Sequence, residues 1–265
     1  GIGLAVGSIM FLSGVISGVL VVNGCPVALA FLVVLAVGAA YGAFNAFFVT
    51  QLGIMPFIVT LATLYIGRGL GLFICKTRAV NLPDDFLQIG SSLVFGVVPF
   101  PILVFALVLL LSHSILTYTP FGRQIYAVGN SVEAAQKAGI NTKKILVWVY
   151  LISALCAAIG GVVSIAQLGA ISPSFGRDRE FDAIAAAVLG GTSLFGGRGK
   201  VFPGTVLGAI LIQAVRNGLG IVDADPYIYP LVIASIVFLV VFIDSVRYVL
   251  LQQLKRRRIR IEPAV

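Results

Sequence analysis

The sequence predicts an all-α fold, a polytopic transmembrane helical bundle of about seven to eight membrane segments. Three observations predict it. Of the 265 residues, 59% are hydrophobic and only 11% charged, a balance foreign to soluble domains of this length. The apolar residues run continuously instead of alternating with polar ones, which excludes a transmembrane β-barrel and leaves helices that satisfy their own backbone in lipid. The Lys and Arg residues fall mostly on one side once the runs are taken to cross alternately.

The apolar runs, in order, cover residues 1–22, 26–49, 55–74, 97–116, 145–168, 181–195, 201–219 and 227–247. The sixth, at about 15 residues, is short of the ~20 that a crossing requires. It reads either as a tilted span or as one arm of a re-entrant hairpin. The stretch GGTSLFGGRGK that follows, residues 190–200, reads as a flexible break between two half-crossings. A phosphate cradle is the poorer reading, because no P-loop lysine–serine pair follows the glycines. Small residues four apart, such as Gly14 with Gly18 and Gly38 with Gly42, mark places where helices approach closely. The whole chain, 1–265, reads as one transmembrane domain. It opens GIGLAVGS, without an initiator Met or charged leader, which gives the expectation that further spans precede residue 1.

Between the fourth and fifth runs lies a polar island, TYTPFGRQIYAVGNSVEAAQKAGINTKK, residues 117–144. Its basic residues place it in the cytoplasm. Within it Asn130 is positioned to cap a short helix, with Glu133 three residues on and Gly139 as the stop. About eight residues of helix are not stable alone in water, so this one is expected to be gripped by a cytoplasmic partner. Alternation from the island puts 51–54, 196–200 and the tail from 247 inside. It puts 23–25, 75–96, 169–180 and 220–226 outside. Twelve Lys and Arg then lie inside against four outside, Lys76, Arg78, Arg177 and Arg179.

The net charge of +8 is scattered over loops and concentrated in the tail KRRRIR, which fits membrane topology and head-group attraction and not nucleic-acid binding. Cys25, Cys75 and Cys156 are widely spaced and read as free packed thiols. There is no HExxH, no GxSxG, no Walker A loop and no paired intramembrane carboxylate, so the expectation is a chain that is not an enzyme and binds no metal or cofactor. Arg68 is expected to snorkel to the outer surface. A carboxylate near mid-membrane, usual in ion-coupled transporters, is not expected here.

The stretch TPFGRQIYAVGNSVEAAQKAGIN resembles the cytoplasmic coupling loop of the ribose-type family of ABC importer permeases. The stretches GIGLAVGSIM, MPFIVTLATLYIGRGLGL and AAAVLGGTSLFGGRGKVFPGTVLGAILI resemble the same family, in order along essentially the whole chain. The resemblance implies a permease subunit of the bacterial inner membrane that imports a ribose-like pentose, a hexose or a similar solute. It implies a second permease subunit, identical or paralogous, cytoplasmic ATPase subunits that hydrolyse the ATP, and an extracytoplasmic substrate-binding protein. One departure stands out: where the family opening usually reads GGIDLSVGS, Gly3 replaces the acidic residue and Ala5 the serine.

The resemblance assigns Asn130, Glu133, Ala134, Ala135, Lys137 and Gly139 to ATPase coupling. For the translocation pathway, uncharged polar groups able to exchange hydrogen bonds with hydroxyls are the candidates: Asn45, Thr60, Thr63, Gln167, Thr192, Ser193 and Asn217. Residues of these types also serve as helix-packing glue. The alternative function is a stand-alone secondary transporter or channel for small polar solutes.

Overall fold

The structure, a computed structural model, describes residues 3–94, 96–193, 196–225 and 227–259, with side chains throughout these except at 85, 89, 94, 244 and 247–259. The basic tail KRRRIR therefore lies outside the residues whose side chains are described. Two compact units divide the chain, Gly1–Phe181 and Asp182–Val265.

The first unit holds α1 (Val6–Val22), α2 (Val27–Thr50), α3 (Pro56–Ile74), α4 (Asp84–Ser91), α5 (Phe100–Tyr118), α6 (Pro120–Asn130), α7 (Val132–Lys137) and α8 (Thr142–Leu168). Proline sets several of the starts, where its missing N–H is no loss: Pro26 precedes α2, Pro56 and Pro120 open α3 and α6, and Pro101 sits in the first turn of α5. Helices α2, α3, α5 and α8 are each long and apolar enough to cross a membrane. They match runs read from the sequence to within a few residues. In α5, Phe105 and Leu110 are exposed, as befits a face whose solvent is lipid.

Helix α1 threads among α2, α3 and α8. One part of the core gathers Phe11, Val15, Phe86, Ile165, Ile171 and Phe175; another gathers Ala5, Ile9, Val34, Ala154, Ala157 and Ala158. The smallness of the second set lets backbones meet. A Cβ built on Gly42 would lie 2.9 Å from Leu151 Cα and 2.9 Å from the Tyr150 carbonyl, so α2 can lie on α8 only with glycine there.

Two short antiparallel strands, β1 (Val80–Asn81) and β4 (Ala170–Ile171), close this end of the unit; β2 (Leu93–Val94) pairs with β3 (Val98–Pro99). Beyond β4 the structure corrects the sequence reading. Residues 169–180, expected as an outer loop, fold back along α1. Ile171 meets Gly18, Phe175 meets Gly14, and Gly176 and Glu180 meet Gly7. From Gly18 to Gly7 is roughly 16 Å of helix, so the chain descends about half a bilayer before α9 is under way.

Helix α9 (Arg179–Leu189) has 11 residues, roughly 16 Å, which excludes a full tilted crossing. Its run was expected to reach residue 195; positions 194 and 195 lie outside the described residues. In the second unit, α9 ends on Gly191 at φ +84°, with Thr192 N donating to the Ala187 carbonyl at 3.0 Å. A kinked segment, Val201–Thr205, extended at Phe202 (φ −113°, ψ 134°), then leads into α10 (Val206–Ile221), followed by α11 (Ile228–Ile259). Arg216 Nη2 on α10 donates to both carboxylate oxygens of Asp182 on α9, at 2.7 and 2.8 Å. This intramembrane ion pair, 34 residues apart in sequence, was not anticipated.

Candidate functional site: a clamped short helix and a midplane cleft

The polar island is helical almost throughout. Thr119 caps α6, its Oγ1 accepting from Gly122 N at 3.2 Å, and Phe121, Ile125 and Val128 form one apolar face. The Thr-Pro start and the i, i+4, i+7 spacing were the signals for this helix, and the sequence reading passed over them. The expected cap shifts by one residue. Asn130 is the last residue of α6, and Ser131 caps α7, accepting from Ala134 N at 3.2 Å. Gly139 ends α7 as expected, at φ +79°, with Ile140 N donating to the Ala135 carbonyl at 3.0 Å and Gly139 N to Gln136 at 2.9 Å. Asn141 then caps α8 through Lys144 N, at 3.1 Å.

Helix α7 needs no outside partner to be ordered. Ala135 is buried against Val128 of α6 and Ile145 of α8, with Ile140 and Val149 around them. Ala135 therefore faces the bundle, although it was assigned to docking. Glu133 and Lys137 face outward and pair at 2.8 Å, Ala134 is exposed beside them, and the apolar Val132, absent from the candidates, is 49% exposed. The outward surface is an apolar spot flanked by an acid and a base.

On the side of the bundle toward α7, a cleft of about 110 Å³ opens where α1 begins. Gly3, Ala5, Val6 and Ile9 line it from α1 and its lead-in, Asn45 from α2, Thr60 from α3, and Leu146, Val149, Tyr150, Ser153 and Ala154 from α8. Ala154 is near the middle of the 27-residue α8, so α1 starts close to the bilayer midplane. Its first turn has no side-chain cap. Asn45 is buried, at 3% exposure, and its Oδ1 has no hydrogen-bond partner among the described residues.

One turn farther from α7, Tyr41 ties α2 to α3 and α1. Tyr41 OH donates to the Thr63 carbonyl and lies 3.2 Å from Ser8 Oγ. In the next layer, Arg68 does not snorkel outward as expected. Its guanidinium lies 5.0 Å from the Phe11 ring centroid, and Nη1 donates to the Phe175 carbonyl at 2.6 Å. Glu180, also expected outside, is buried beside Gly7. A buried carboxylate is thus present where the sequence reading saw none.

The seven pathway candidates separate. Asn45 and Thr60 share the cleft; Thr63, three residues on, gives its carbonyl to the Tyr41 layer. Gln167 is exposed near the opposite end of α8. Thr192, Ser193 and Asn217 belong to the second unit, where Ser193 N donates to the Arg198 carbonyl at 3.0 Å and Asn217 accepts from Gln213 at 2.9 Å. Among the described residues no cluster suited to a metal ion occurs, and all three cysteines are free.

These features define a multi-pass, inner-membrane helical protein. The comparison with known proteins specifies the class. Residues 1–244 match the family described as branched-chain amino acid transport system / permease component, and the chain belongs to that family, among its ribose-type ABC permeases. It is 36% identical to the ribose import permease protein of Haemophilus influenzae, over 92% of this chain and 77% of that one. It is 37% identical to the D-allose transport system permease protein of Escherichia coli, over 92% and 75%. Against the fructose import permease protein of Rhizobium meliloti the identity is 34%, over 92% and 70%. No solved structure matches it.

Proposed function

We propose that this chain is the membrane-spanning permease subunit of an ATP-driven ABC importer for a monosaccharide, a ribose-like pentose or a hexose. The observation that carries the reading is the alignment of 92% of the chain with permeases named for ribose, allose and fructose. In this reading seven to eight segments cross or enter the membrane, counting α1, α9 and α11 with α2, α3, α5, α8 and the apolar stretch Val201–Ile221. The chain itself has no ATPase site. Partner ATPase subunits hydrolyse ATP and dock on the outward face of α7, at Val132, Glu133, Ala134 and Lys137. A second permease subunit completes the membrane part, and an extracytoplasmic binding protein delivers the sugar. Transport is by alternating access, with nucleotide and binding protein each favouring one orientation.

The test is copurification in mild detergent with the ATPase, for the wild type and Glu133→Arg. The variant should lose ATPase while its own thermal stability stays the same, because Glu133 pairs only across the exposed face of α7. Sugar uptake by the chain with no ATPase present would overturn the proposal.

A further inference from the structure

We infer that a cavity between α5 and the rest of its unit, at the end away from α7, seats one acyl chain of a phospholipid. This needs only that α2, α5 and α8 cross a membrane, whatever solute the permease carries.

The cavity holds about 260 Å³, and its walls come from α1, α2, α4, α5 and α8, all in the first unit. Residues 27–31 line it from the start of α2, 100–104 from the start of α5 and 159–166 from the end of α8. All three stretches lie within roughly 14 Å of their helix ends, which places the cavity within one leaflet of the ~30 Å hydrocarbon core. Helix α4 covers it with Phe86, and rests on α8 where Gly90 leaves no Cβ to strike the Ala166 carbonyl.

Only a thin apolar group suits this space. Among the described residues no charged side chain lines it, and its one hydroxyl, Ser17 Oγ, already donates to the Gly14 carbonyl at 2.9 Å. A water or a sugar would lose hydrogen bonds here and gain none. One turn of helix with its side chains, 5.4 Å long and 10–12 Å across, fills roughly 400–600 Å³, so a further helix of this or another chain is too thick. An apolar cavity of roughly 150 Å³ already takes up benzene, so hydrocarbon fits. At this depth the hydrocarbon at hand is a lipid tail. Helix α5 is the side of entry. Of its 19 residues only Pro101 is buried, and Phe105 and Leu107 are exposed, so the α5 wall of the cavity adjoins lipid. Gln88 and Ser91, exposed on α4, supply polar contacts for a head group. A seated tail fills the gap that leaves α5 loosely held. Helix α5 runs through Thr119 into α6, whose Val128 packs against Ala135 of α7, so the tail braces the helix that leads into that clamp.

The experiment purifies the complete importer in mild detergent, washes it with excess detergent and counts retained phospholipid by native mass spectrometry. The wild type should keep a phospholipid on each permease chain. Val104→Trp, which fills the cavity from its α5 wall, should lower that occupancy about fivefold or more. Leu110→Trp, on the exposed face of α5, should leave it unchanged. Phospholipid returned to the washed complex should raise the melting temperature of the wild type and of Leu110→Trp, and not that of Val104→Trp. Should Val104→Trp fail to assemble, Ala28→Phe on the α2 wall is read by the same count and decides. A washed wild type that holds no phospholipid overturns the inference. So does a fatty acid or detergent molecule retained in its place, or equal retention by the wild type and Val104→Trp. None of these readouts uses sugar uptake, so an overturned lipid seat leaves the permease reading standing, and a failed uptake assay leaves the lipid seat standing.

Discussion

Gly42→Ala places a methyl group where α2 rests on α8. The new Cβ would lie 2.9 Å from Leu151 Cα, 2.9 Å from the Tyr150 carbonyl oxygen and 3.0 Å from Ala154 Cβ. Two of these three neighbours are backbone atoms, so relief requires the helices to separate and not a rotamer to turn. Overpacking of this kind costs about 1–3 kcal/mol, offset by up to about 1 kcal/mol from replacing glycine in a helix. The net loss of about 1–2 kcal/mol lowers the melting temperature by about 2–8 °C for a chain of this size. Gly160→Ala, on α8, is the control: nothing lies within 4 Å of its Cβ, so it should melt at or slightly above the wild type. The contact also bears on the site, because Asn45 is three residues along α2 and Tyr150 lines the cleft. Thermal unfolding in detergent and sugar uptake should therefore fall together for Gly42→Ala and hold for Gly160→Ala. Equal melting of the two variants would refute the close-approach reasoning.

Two further outcomes are expected. Asp182→Asn should destabilise the chain by about 2 kcal/mol, because it removes the countercharge and turns one of the two oxygens that accept from Nη2 of Arg216, 28% exposed, into an amide donor; the double variant Asp182→Leu with Arg216→Met should recover much of that loss in a melting assay, and a strictly additive double variant would argue that the two side chains do not act as a pair. Gly191→Ala forces alanine to φ +84° at a cost of about 1–2 kcal/mol, so uptake should fall while ATPase copurification holds. Gly191→Asn, which tolerates that conformation, should retain more uptake than alanine does, and equal uptake in all three proteins would show that the end of α9 is not conformationally demanding.

The long spans were legible because a continuous apolar run in a chain this hydrophobic has few alternatives. What escaped was everything fixed by distant partners. Arg68 lies near the outer end of its run, and nothing local reveals that a carbonyl 107 residues away would hold it inside the bundle. Glu180 sits in a polar stretch that looks like a loop, and only the packing of Phe175 and Gly176 along α1 draws it inward. The one-residue error in the α7 cap has a different cause. Asn130 and Ser131 are both good caps, and the choice falls to packing, since a shift of one residue rotates a helix face by about 100° and would take Ala135 off Val128 and Ile145. Asn45 and Thr60 were picked for their chemistry alone, and their meeting follows from α2 and α3 running antiparallel. Gln167, picked by the same criterion, lies where no such meeting occurs.

The clamp under α7 and the wall of the cleft share a helix turn. Ala135 of α7 packs on Ile145, and Val149, one turn along α8, both touches that cluster and lines the cleft beside Tyr150. Helix α8 begins only five residues after α7 ends, with Asn141 capping it and Gln136 Nε2 donating to Thr142 Oγ1 at 3.1 Å. A force on the exposed face of α7 therefore reaches the first turns of α8 through packed side chains and a short capped connection. The Tyr41, Ser8 and Thr63 layer stands one turn beyond the cleft. Close packing makes such contacts discrete and not continuously deformable. Helix α7 is thus packed on α6 and α8 from behind and bare in front.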